Sequence, residues 1–228
     1  MSARRAVLVT GAARGLGASI AGRLAADGFA VVGADLAGAD LTLDVRDAAA
    51  WDAGARALEA VGEPWGLVNC AARTVVRDLL EIAPDEWDDV LATNLRGPFL
   101  GIRTVGPLLA ARGAGRIVNI SSDSAFKGRG VIGAHYAASK AGLVSLTRRA
   151  AARLAPTGVT VNAVAPGTID GPTVRELAGD QLDALAAEAA LGRLADPAEI
   201  AALVAWLVSD EASYVTGTTL LADGGAGL

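Results

Sequence analysis

The chain of 228 residues has one cysteine, one histidine and one methionine. A lone Cys70 rules out an internal disulfide framework, and with a single histidine it cannot complete a zinc cluster. No metal is expected, and the bland reading of Cys70 is a small buried apolar residue. Excess positive charge is also missing. Lys and Arg number 20 against 25 Asp and Glu, a formal net charge of −5, which argues against non-specific nucleic-acid binding. No lysine-rich or arginine-rich face suggests a membrane surface. Although 52% of residues are hydrophobic, no run reaches the roughly 18 apolar residues that a span requires. The opening "MSARRAVLVTGAARG" imitates a signal peptide, but its apolar patch is short and runs into Gly11, Arg14 and Gly15. It reads as a buried strand, with a cytoplasmic location expected. Internal repeats, low-complexity tracts and linkers are absent as well.

What remains is a rhythm. Short β-branched runs begin at Ala6, Ala30, Leu41, Trp65, Arg116, Val159 and Thr218, and alanine-rich helical stretches lie at about 16–27, 47–60, 84–111, 135–154 and 197–208. The alternation predicts an α/β fold: one domain over 1–228, a doubly wound parallel sheet of seven strands of the Rossmann type, with helices on both faces. Asp196 and Pro197 mark a cap and a first helical position. Between the second and third strands only Leu36 to Asp40 are available. Five helical residues would climb about 7.5 Å, whereas five extended ones reach about 16 to 18 Å. The spacing predicts a stretched loop with no crossover helix.

After the first strand comes "TGAARGLG", Thr10 to Gly17. At a strand-to-helix junction, free backbone N–H groups and the positive end of the helix attract phosphate, and glycines allow close approach. Gly11, Gly15 and Gly17 form a pyrophosphate cradle on this reading. A tight turn needing glycine is the plainer alternative. Asp35 ends the second strand, where a carboxylate accepts hydrogen bonds from ribose hydroxyls and repels a 2′-phosphate. That points to NAD over NADP, while Arg14, a cation beside the cradle, points the other way.

The stretch "HYAASKAG" sets Tyr136 and Lys140 four apart, hence on one face near a helix start. Tyrosine ordinarily keeps its proton to about pH 10; an adjacent ammonium stabilises phenolate and lowers that value. The pair is read as an acid/base tyrosine with its activating lysine, against a plain surface pair. His135 points about 100° away from Tyr136 and reads as a helix-entry or pocket-rim residue.

These motifs, together with "LDV" at Asp44, "NCAA" at Asn69, "TNLRGPF" at Asn94, "IVNISS", "NAVAPG" and "YVTGTTLLADGG", resemble the short-chain dehydrogenase/reductase family in order and nearly in spacing, from about Ala6 to the end. The resemblance implies hydride transfer between nicotinamide and a carbon bearing oxygen, and a homo-oligomer, tetramer or dimer. It implies Tyr136 as general acid/base, Lys140 holding the nicotinamide ribose, Ser122 on the substrate oxygen and Asn94 positioning a water. Asp44 and Val45 would border adenine. Leu16, Leu36, Asn69 and Ala71 would join the cofactor contacts, as would Pro166, Gly167, Ile169 and Thr173 at the carboxamide. Ser122 stands fourteen residues before Tyr136, one more than expected, which leaves Ser121 and Ser124 as alternative hydroxyls. Ala72 replaces a customary glycine and Gly171 a customary threonine.

Substrate choice is expected from loops at about 73–80, 123–134 and 168–192, the last a substrate-loop insertion within the domain. Asp123, Lys127 and Arg129 in the second loop are read as solvated charges. The expected activity is an NAD-dependent dehydrogenase acting on a secondary alcohol or ketone, with no nucleic-acid or membrane partner. An NADPH-dependent 3-oxoacyl thioester reductase is the alternative within enzymes, and a catalytically silent nucleotide-binding regulator is the alternative outside them.

Overall fold

The computed structural model describes residues 4–128 and 132–226. Seven parallel strands form one sheet in the order β3-β2-β1-β4-β5-β6-β7. They are β1 (Arg5–Thr10), β2 (Ala30–Asp35), β3 (Leu41–Thr42), β4 (Glu63–Asn69), β5 (Gly115–Ile120), β6 (Val159–Pro166) and β7 (Thr219–Ala222). Side chains alternate across a strand, so β1 sends Ala6 and Leu8 to one core and Val7 and Val9 to the other. The first core packs under α2 (Ala50–Val61), α4 (Gly97–Ala111) and α5 (Ala134–Leu154). The second packs under α1 (Gly15–Ala26) and α8 (Pro197–Val208). Burying both faces explains the near-continuous apolar strands.

Trp51 shows how tightly the first core closes. It is fully buried, and its indole N–H donates to the Val45 carbonyl at 3.0 Å. A Cβ on Gly101 would lie 2.5 Å from its ring, so a glycine is required there. The helix α8 begins as its sequence suggests, with a capping box between Asp196 and Glu199 and Pro197 in the first turn.

Two expectations change. The helix read over 84–111 is α3 (Pro84–Leu91), a π turn over Ala92–Arg96, then α4. The loop at 168–192 contains the short helices α6 (Pro172–Ala178) and α7 (Leu182–Ala187). By contrast, residues 36–40 form a loop without a helix, and β3 pairs with β2 over only two residues.

Strand order reverses direction between β1 and β4, which opens a crevice at their C-terminal ends. Thr10 stitches the two ends together: its hydroxyl accepts from the N–H groups of Cys70 (3.1 Å) and Ala71 (3.2 Å).

Candidate active site

The loop from Gly11 to Gly17 lies at this crevice. Gly11 has φ +72°, and a Cβ there would stand 2.8 Å from the backbone of Ala71. A Cβ on Gly17 would lie 2.0 Å from the Gly11 carbonyl oxygen, so helix and loop touch backbone to backbone. Helix α1 follows with Arg14 at its N-cap, no side-chain cap and no acidic residue in its first turn. Its first N–H groups are left for an anion. Asp35 closes the other wall: one carboxylate oxygen accepts from Ala13 N–H at 3.1 Å and the other from Leu36 N–H at 2.7 Å. Arg14 and Leu36 are exposed, while Leu16 leans on the α1/α8 core. The residues present therefore fit a dinucleotide, with backbone donors for pyrophosphate and a fixed carboxylate for ribose.

Three expected cofactor contacts are engaged elsewhere. Asp44 is gripped by the Arg46 guanidinium (3.0, 3.1 and 2.8 Å), which holds its carboxyl below the usual range. Arg46 continues to Asp89 at 2.6 Å, and Asp89 to Arg73 at 3.0 Å. The Val45 side chain is buried in the first core. Asn69 turns inward and donates to Asn119 at 2.8 Å, and Asn119 donates to Thr147 at 2.9 Å. Ala71, half-buried, backs Gly11.

On the other side of the crevice, α5 brings Tyr136 and Lys140 onto one face, with the ammonium nitrogen 5.5 Å from the phenol ring centre. Lys140 is 2% exposed and donates to the Ile120 carbonyl at 2.7 Å. Burial pulls it down to about 8. Tyr136 moves opposite to expectation: burial pushes the phenol up to about 12, with Asp123 and Cys70 adding to the rise and the hydroxyls of Ser122 and Thr74 pulling against it. A desolvated lysine cannot outweigh the cost of burying a phenolate. The Cys70 thiol is likewise pushed up to about 12 by burial.

The structure separates the three serines. Ser121 donates to the Lys140 carbonyl at 3.0 Å, into the body of α5, and Ser124 contributes its N–H to Ser122 Oγ at 3.1 Å. Ser122 is the one whose hydroxyl acts on Tyr136. Asn94, in the π turn and fully buried, uses its whole amide. It accepts from Arg73 N–H (2.7 Å) and donates to the Arg73 carbonyl (3.0 Å) and to Ser139 (3.1 Å). Ser139 in turn donates to the Tyr136 carbonyl at 2.6 Å, so Asn94 ties the loop after β4 to the start of α5.

His135 is fully buried, its ring against Gly133 and its Nε2 3.4 Å from Glu86 of α3. It lies deeper than a rim position. Thr74 and Asp123 are site residues that the motifs do not single out. Thr74 sits in a loop with no diagnostic spacing. Asp123 is 9% exposed and pairs with Lys127 at 2.5 Å, which corrects its reading as a solvated charge. The i, i+4 spacing of opposite charges was the available signal. Arg129 lies outside the described residues, as does the side chain of Thr173 in α6.

Pro166 is buried at the end of β6, and Gly167 N–H donates to Ala222 at 3.1 Å. Ile169 bridges to Ala195. Beside them is a cavity of about 180 Å³ whose wall includes Asp123, Lys127, Gly167, Thr168, Leu185 and Leu191. Among the described residues no group of His, Cys, Asp and Glu is arranged to hold a metal ion, and no helix is long and apolar enough to cross a membrane.

Comparison with known proteins adds the following. The family described as enoyl-(acyl carrier protein) reductase matches residues 11–227. The short-chain reductase protein NovJ of Streptomyces niveus is 40% identical over 251 residues, covering 99% of this chain and 95% of its own. The 3-oxoacyl-[acyl-carrier-protein] reductase FabG of Salmonella typhimurium is 40% identical over 233 residues, covering 96% and 95%. A crystal structure of a variant actinorhodin polyketide ketoreductase with NADPH superimposes with a TM-score of 0.92 at 34% identity, covering 100% of this chain and 99% of that one.

Proposed function

The chain belongs to the short-chain dehydrogenase/reductase family, and from that premise we propose that it moves hydride between NAD(H) and a secondary alcohol or ketone, with Tyr136 as general acid/base. The observation that carries the proposal is the cluster of Tyr136, Ser122 and Lys140 at the C-terminal edge of the sheet, across the crevice from the glycine loop.

The nicotinamide, when bound, supplies or takes the hydride. Everything else falls to the chain. Gly11, Gly15 and Gly17 with the start of α1 hold the pyrophosphate, Asp35 the ribose hydroxyls, and Lys140 the nicotinamide ribose. In reduction, Tyr136 gives its proton to the substrate oxygen as negative charge develops there. In oxidation, the phenolate takes the proton back. A phenol held near 12 is protonated at neutral pH, so the resting site is set for reduction. Ser122 lies next to that phenol, and Asn94 keeps α5 and the loop carrying Thr74 in register.

Cofactor choice rests on Asp35. Its carboxylate is fixed beside Ala13, where a 2′-phosphate would meet like charge. An NADPH-dependent 3-oxoacyl thioester reductase is the second reading, favoured by the relatives named FabG and the ketoreductase crystallised with NADPH. Calorimetric titration with NADH and NADPH decides between them: NADH is expected to bind at least about tenfold tighter, about 1.4 kcal/mol, and Asp35→Ser to narrow the gap. Tighter NADPH binding overturns the first reading. A screen of alcohols and ketones with no turnover would favour a silent nucleotide-binding protein. We further propose a cytoplasmic homo-oligomer; elution as a monomer alone on sizing chromatography would contradict the oligomer.

A further inference from the structure

Ser122 has a second neighbour besides Tyr136. Its Oγ lies 3.1 Å from Asp123 Oδ1, and a carboxylate has no proton to offer, so the hydroxyl must be the donor. Ser122 Oγ also accepts from Ser124 N–H at 3.1 Å. A serine hydroxyl owns one proton and two lone pairs. With the proton given to Asp123 and one lone pair used, what remains toward the phenol is an acceptor, and the downward pull of the Ser122 hydroxyl on Tyr136 operates only when that proton is taken back from Asp123. Asp123 is itself held: Lys127, four residues on, reaches Oδ2 at 2.5 Å, and the Lys127 and Asp123 side chains are 24% and 12% exposed. Both line the cavity beside Gly167 and Thr168, so this arrangement faces the space where substrate would sit.

We propose that Asp123 is a positioning residue that takes the Ser122 hydroxyl proton and so fixes Ser122 as a hydrogen-bond acceptor from Tyr136, with Lys127 clamping the carboxylate in place. The inference rests on Tyr136 being the acid/base. Its chemical content is a competition: the proton that Asp123 holds is unavailable to a phenolate, so the protonated phenol is favoured and the site is biased toward delivering protons. Among the described residues, the charged and titratable groups facing Tyr136 are Asp123 from the turn after β5, Lys140 from its own helix and the Cys70 thiol just past β4. Lys127 stands behind Asp123, and the Thr74 hydroxyl completes the ring of neighbours.

Tyr136 and Tyr214 are the two tyrosines of the chain, and Tyr214 is fully exposed. In a Tyr214→Phe background, the carbon-13 signal of ring-labelled tyrosine therefore reports Tyr136 alone, without any substrate. Asp123→Asn is expected to lower its titration midpoint by about one pH unit, tenfold in proton affinity; an unmoved midpoint overturns the proposal. The same change made with Ser122→Ala must shift the midpoint less, because the intervening hydroxyl is gone. An equal shift would make Asp123 a bare charge and overturn the hydrogen-bond route. Lys127→Met, which unpairs the carboxylate, must leave less phenolate at a fixed pH of about 10, where an ordinary lysine still carries most of its charge. This variant keeps the test open if Asn at 123 fails to fold, and unchanged phenolate again overturns the proposal. If Tyr136→Phe abolishes turnover while Asp123→Asn leaves the midpoint in place, this inference alone fails. If Tyr136→Phe turns over like the wild type, the acid/base assignment fails instead.

Discussion

Around Gly11, Gly15 and Gly17 the crevice is walled by backbone, whereas around Tyr136 it is walled by buried side chains. The first wall works through atoms that are missing: a Cβ on Gly17 would enter the Gly11 carbonyl, and one on Gly11 would enter Ala71. The second wall works through groups brought in at a cost, among them a lysine 2% exposed and a carboxylate 9% exposed. Backbone walls tolerate almost no addition. Side-chain walls tolerate changes of shape and respond to changes of charge.

The sharpest way to separate the two is Tyr136→Phe. It removes one oxygen and no volume elsewhere, so turnover is expected to fall about 10²- to 10⁴-fold while NADH affinity stays at wild type, measured by steady-state rates and calorimetry side by side. A phenylalanine variant with normal rates would erase the distinction.

Gly17→Ala tests the opposite wall. The added methyl meets backbone that cannot swing aside, so the helix start must shift, with an expected loss of about 3 kcal/mol or more in urea unfolding and loss of NADH binding. Normal stability with normal binding would show that the loop yields as side chains do.

Lys140→Met probes the cost of the buried charge. Lys140 ordinarily titrates at 10.5 and here near 8, so the unfolded chain holds the proton more tightly. The penalty is present in full below pH 8 and is relieved as pH rises toward 10.5. Lys140 thus contributes to cofactor-free protein a gain on the order of 3 kcal/mol over that window, seen unopposed between pH 8 and pH 9. The Cys70 thiol, raised from 9.0 to about 12, opposes this above pH 9, and Tyr136, raised from 10.0 to about 12, above pH 10; the stability each contributes is lost as pH climbs. The methionine variant should be more stable at pH 7, nearly flat to pH 9 and falling above it, read from denaturation midpoints. A wild-type slope in that variant would assign the alkaline gain to another group.

The same contrast explains what could be read from the chain. Strands buried on both faces must be apolar along their length, and positions that exclude a Cβ must be glycine. The sheet, its helical faces and the phosphate loop were therefore legible, as was the loop over residues 36–40, which is too short for a crossover. Apolar residues recur at helical spacing across 84–111, and Gly97 and Pro98, just past the wider turn at Asn94, are the local mark of a break there. The helices α6 and α7 are only seven and six residues long, too short to show a helical period inside a mixed apolar and acidic segment. Within the acid/base cluster, residue types were legible but their protonation was not. Tyr136 rises because of burial, which depends on contacts from β4, β5 and the loop with Thr74 rather than on Lys140 four positions along. Choosing among Ser121, Ser122 and Ser124 likewise required seeing that Ser121 faces α5.

The wide turn over Ala92–Arg96 has a consequence that concerns length rather than chemistry. It stores one surplus residue, and each residue of an ordinary helix rotates its successor by about 100°. Because the wide turn absorbs that residue, α3 keeps its phase against the rest of the fold; a position lost from the ordinary coil of α3 itself, where nothing absorbs it, would wheel the preceding turn about its axis and carry Glu86 off His135. The wide turn is thus forgiving of length and, at Asn94, unforgiving of identity.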